Sequence, residues 1–64
     1  MLGPEEACAR NLSAAIREAL NAQFAAKCAA DIEGSKMTPS IFDKISEARL
    51  LLEVAAEELR AAQR

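Results

Sequence analysis

The chain has 64 residues, 52% of them apolar with alanine the commonest, and a formal net charge of −2. That length allows one small domain, which buries only about 60% of the surface its unfolded form exposes and so depends on staples or partners. The acidic balance provides no basic field to gather phosphates, which argues against a nucleic-acid partner.

The first element opens at Pro4, a residue suited to the first helical position, with Glu5 and Glu6 placed favourably against the helix dipole. No proline or glycine interrupts the chain from there to Glu33, and alanine has the highest helix propensity. The pattern predicts a helix over residues 4–33. Gly34 follows, able to take the left-handed geometry wanted past a helix end, and residues 34–38 form the turn. Thr38-Pro39 reads as a cap followed by a first helical residue, opening a second helix over 39–63. No strand pattern competes. Residues 1–64 are therefore expected to form a single all-α domain, an antiparallel two-helix hairpin.

In the second helix Ile41, Ile45, Ala48, Leu52, Ala55, Leu59 and Ala62 alternate steps of four and three, a heptad seam expected to face the first helix. Leu50, Leu51 and Val54 fall outside it. At about 100° per residue, Leu50 and Val54 lie roughly 160° from Leu52, on an arc that a lone hairpin leaves in water. The first helix has a matching stripe of mostly small residues: Cys8, Leu12, Ala15, Ala19, Ala22, Ala26 and Ala29. Its bulkier residues behave differently. Cys8, Leu12, Ile16, Leu20, Phe24, Cys28 and Ile32 recur every four positions, so the row drifts by about 40° per step and winds around the helix. One antiparallel neighbour does not cover a row that changes sides. The hairpin is expected to complete its core by oligomerisation or by packing on a partner. Leu20, Phe24, Cys28, Leu50, Leu51 and Val54 are the expected protein-binding residues.

Little in the chain supports chemistry. Histidine, tyrosine and tryptophan are absent, as is a glycine-rich phosphate loop. Cys8 and Cys28 would stand roughly 30 Å apart on one helix, far beyond disulfide reach, so both are expected as free thiols. Without histidine or a CxxC pair there is no zinc pattern. The expectation is a protein that is not an enzyme and has neither cofactor nor metal. No run of about 18 uncharged apolar residues suggests a membrane span. The first residues are acidic where a signal peptide is basic and then apolar, so a cytoplasmic location is expected.

The segment DIEGSKMTPSIFDKISEARLLLEVAAEEL resembles the small helical-hairpin co-chaperones of type III secretion needle subunits. A glycine-containing turn leads through a polar stretch to Ile41-Phe42 and then a Leu/Ala-rich end. The likeness extends over roughly Leu12 to Leu59 and rests on size, topology and pattern. It implies a hairpin that packs on a second, larger helical chaperone, the two together keeping an aggregation-prone needle subunit unpolymerised. The alternative is a homo-oligomeric four-helix bundle with a structural or regulatory role. In either case the chain alone is expected to self-associate.

Overall fold

The computed structural model describes residues 3–64. Two helices account for most of them, α1 (Pro4–Ala30) and α2 (Pro39–Ala62), and no strand occurs among the described residues. The helices pack side by side as the expected all-α hairpin, 48 × 20 × 12 Å across.

Gly3 is extended ahead of α1, and Pro4 needs no backbone donor at the first position. The ladder begins with the Ala7 amide donating to the Gly3 carbonyl at 2.9 Å. Glu5 and Glu6 stand in the first turn and Lys27 in the last, each with the sign that suits the dipole.

α1 ends at Ala30, three residues before the boundary read from the sequence. The Asp31 and Ile32 amides reach back only to the carbonyls of Cys28 and Ala29, at 3.2 and 3.1 Å. These three-residue bonds tighten the last turn and end the α-helical ladder. A separate hydrogen-bonded turn then spans Ile32 to Ser35, whose amide donates to the Ile32 carbonyl at 3.1 Å. Gly34 is its third residue, at φ 79°, the left-handed value that glycine alone takes without strain. Glycine therefore sits in the turn itself rather than at the helix cap.

Ser35 Oγ accepts from the Met37 amide at 3.0 Å, and Thr38 Oγ1 accepts from the Ile41 amide at 3.1 Å. The second bond caps α2 at its third helical residue. Pro39 is the first helical residue as read, and α2 closes at Ala62 with Gln63 as its cap, one residue before the expected end.

The packing corrects the expected seams. Leu12, Ala15, Ala19, Ala26 and Ala29 of the α1 stripe are covered, but Cys8 and Ala22 are exposed and Ile16 and Gln23 are covered as well. On α2, Ile45, Leu52 and Leu59 are half-buried as expected, whereas Ile41, Ala48, Ala55 and Ala62 are exposed. Phe42, Ser46, Arg49, Glu53 and Ala56 take their place. Both helices are thus turned in the same sense from the orientation that apolar periodicity alone suggests, α2 much further than α1, which keeps Ala15 and Ala29 under cover. Two things favour the turn. Phe42 covers more area than Ile41 does, and the rotation lets Gln23 meet Ser46 and Arg49. Among the described residues only Ala26, 3% exposed, is fully buried.

Candidate protein-binding surface

The middle of the hairpin is held by a chain of polar side chains. Arg49 Nε donates to Gln23 Oε1 at 2.6 Å, and Gln23 Nε2 donates to Ser46 Oγ at 3.0 Å. Arg49 also donates through Nη1 to Glu53 Oε1 at 3.0 Å, one turn along α2. Arginine only donates, so the amide oxygen of Gln23 must face it and the amide nitrogen is left for Ser46. The guanidinium is about four-fifths covered and the Glu53 carboxylate a little over half. No buried side-chain nitrogen or oxygen among the described residues lacks a partner. Gln23, Arg49 and Glu53 belong to neither of the stripes read from the sequence. Their position inside the seam was missed, because a polar residue on a helix wheel carries no sign that its partner lies opposite.

This clip defines two sides of the hairpin. On one, the Gln23 edge of α1 meets the Ser46 edge of α2. Leu20, Phe24 and Lys27 line a shallow groove there with Gln23 and Phe42. Leu50 follows Ser46 one turn along and so belongs to the same flank of α2, whereas Val54, two such steps on, has drifted about 80° to the outer back of the helix. Leu20, Phe24, Leu50 and Val54 are 45%, 71%, 52% and 55% exposed. Leu20, Phe24 and Leu50, three of the six expected binding residues, therefore share one side.

The other three do not join them. Cys28, Leu51 and Val54 are also exposed, but they project from the outer backs of α1 and α2, well over 90° around from the seam. The drifting row explains the difference along α1. It begins under cover at Leu12 and Ile16, reaches the edge at Leu20, and is in open water by Phe24, Cys28 and Ile32. That progression is what a four-residue repeat on a 3.6-residue helix requires.

The remaining charged groups are dispersed. Arg60 pairs with Glu57 at 3.0 Å on the exposed end of α2, and such surface pairs contribute little. Among the described residues no three His, Cys, Asp or Glu side chains converge on one point, and no helix is long and apolar enough to cross a membrane. What the arrangement can do is bury apolar area against another protein. No protein-family model matches the chain, and no curated protein or solved structure matches it either.

Proposed function

We propose that this chain works by binding another protein, as a small helical co-chaperone that shields apolar surface and performs no reaction of its own. The observation that carries the reading is the exposure of Phe24, 71%, beside Leu20 and Leu50 on one side of the hairpin. Each apolar side chain withdrawn from water there contributes at about 25 cal/mol per Å², and aromatic residues in such patches commonly dominate binding. Lys27 and Asp43 stand at the edge of this side near Phe42, the polar surround typical of a protein interface. The resemblance of the turn and second helix to type III secretion co-chaperones supplies the specific form: a larger helical chaperone as partner and a needle subunit as the protein held.

The test is co-expression with a needle subunit and its larger chaperone encoded in the same genome. A soluble ternary complex is expected, with the needle subunit kept monomeric in the ultracentrifuge. It should be lost when Phe24→Asp and Leu50→Asp are introduced together. A needle subunit that polymerises equally fast with and without this chain would overturn the reading.

A further inference from the structure

The side of the hairpin opposite the Gln23–Arg49 clip carries an exposed apolar strip, with Glu18, Lys44 and Glu58 at its outer rim. The heptad stripe of α2 is turned half out of the seam, and that of α1 is turned the same way to a lesser degree, leaving Ala22 uncovered. Because the Gln23 edge of α1 faces the Ser46 edge of α2, the opposite edge of α1, with Ala22, must adjoin the edge of α2 that carries Ile41, Ala48, Ala55 and Ala62. All of these are exposed. The uncovered flanks of Ile45, Leu52 and Leu59 lie between them, and no charged residue occurs in either stripe.

We infer that a second copy of this chain covers this side, giving a two-fold four-helix bundle in which each α1 lies between two α2 helices. The first argument is area. The hairpin exposes 5056 Å², against about 4,000 Å² for a compact chain of 6.9 kDa. The excess of roughly 1,000 Å² exceeds the about 800 Å² per partner of a standard stable interface. The second argument is self-complementarity. Ile45, Leu52 and Leu59 recur every seven residues on α2, and Ala15, Ala22 and Ala29 recur every seven on α1. A two-fold partner lays its bulky row over this chain's small row and its small row over this chain's bulky one, the reciprocal match a symmetric interface needs. Gln23 lies level with Ser46 and Arg49, so with the two-fold axis along the bundle Ala22 meets the neighbourhood of Ala48 of the second copy, and the helices approach closely.

This surface is separate from the one assigned to the protein partner, so each stands or falls alone. Sedimentation equilibrium of the purified chain across 1–100 µM should give twice the chain mass and full helix content. Ala48→Glu with Ala55→Glu touches only side chains exposed in the hairpin and should abolish the dimer. Leu50→Asp with Val54→Asp should leave it intact. Neither an Ala22→Lys chain nor an Ala48→Glu chain should dimerise alone, but an equimolar mixture should, because the opposite charges then meet. That mixture keeps the test decisive even where a monomeric variant loses helix. A wild-type chain that is monomeric at 100 µM, a dimer that survives the double glutamate change, or a mixture that does not assemble would each overturn the inference.

Discussion

Arg49 of α2 and Gln23 of α1 meet across the hairpin at 2.6 Å, and this hydrogen bond is the middle link of a chain of four polar side chains. Gln23 passes the link to Ser46, and Arg49 passes it to Glu53. Removing the guanidinium leaves the Gln23 oxygen without its partner in a half-covered site, which costs about 1–3 kcal/mol. Arg49→Ala is therefore expected to lower stability by that amount in urea unfolding at fixed chain concentration. A loss under 0.5 kcal/mol would show that the clip holds nothing.

Replacing both partners has a different expected outcome. Gln23→Leu with Arg49→Leu removes the polar groups together, so no orphan remains and stability should be unchanged or raised. The penalty falls on uniqueness, since a polar layer in a helical interface sets register. The double variant is expected to match the wild type in urea but to give broadened, doubled amide resonances. Single sharp resonances would deny the clip a role in register.

The two aromatic residues provide a contrast within one chain. Phe42 is half-buried in the seam, whereas Phe24 is 71% exposed. Phe42→Ala should cost about 2 kcal/mol, less than a fully buried phenylalanine, while Phe24→Ala should change stability by under about 0.5 kcal/mol. Paired urea curves decide this, and equal losses at the two sites would contradict the assigned packing.

The turn is expected to depend on backbone conformation and one hydroxyl. A Cβ at Gly34 meets nothing within 4 Å, so Gly34→Ala suffers only from the left-handed φ of 79°, at about 1–2 kcal/mol. Thr38→Ala removes the cap on the Ile41 amide and should cost about 1 kcal/mol, with Thr38→Ser retaining most of it. Circular dichroism with urea reads both; a neutral Gly34→Ala would place the glycine in a different turn.

Cys8 and Cys28 are free and exposed. Adding reductant should leave the thermal midpoint unchanged, and Cys28, on the outer back of α1, should react fully with a thiol reagent in the folded state. A midpoint that drops by several degrees in reductant would reveal a disulfide between chains.

Sequence alone determined the local features. Pro4, Thr38-Pro39 and Gly34 mark helix starts and a turn because each acts through its own backbone geometry, within a residue or two. The outward march of Leu12, Ile16, Leu20 and Phe24 follows from helix pitch and needs no neighbour to be read. Tertiary structure decided how each helix is rotated about its own axis. Steps of three and four leave the row of Ile41, Ala48 and Ala55 and the row of Phe42, Arg49 and Ala56 equally able to line a seam, differing by one residue's step of about 100°. The choice between them rests on a ring's volume and on the hydrogen bonds Gln23 donates to Ser46 and accepts from Arg49, both more than twenty positions away, and such pairings exist only once the two helices lie together.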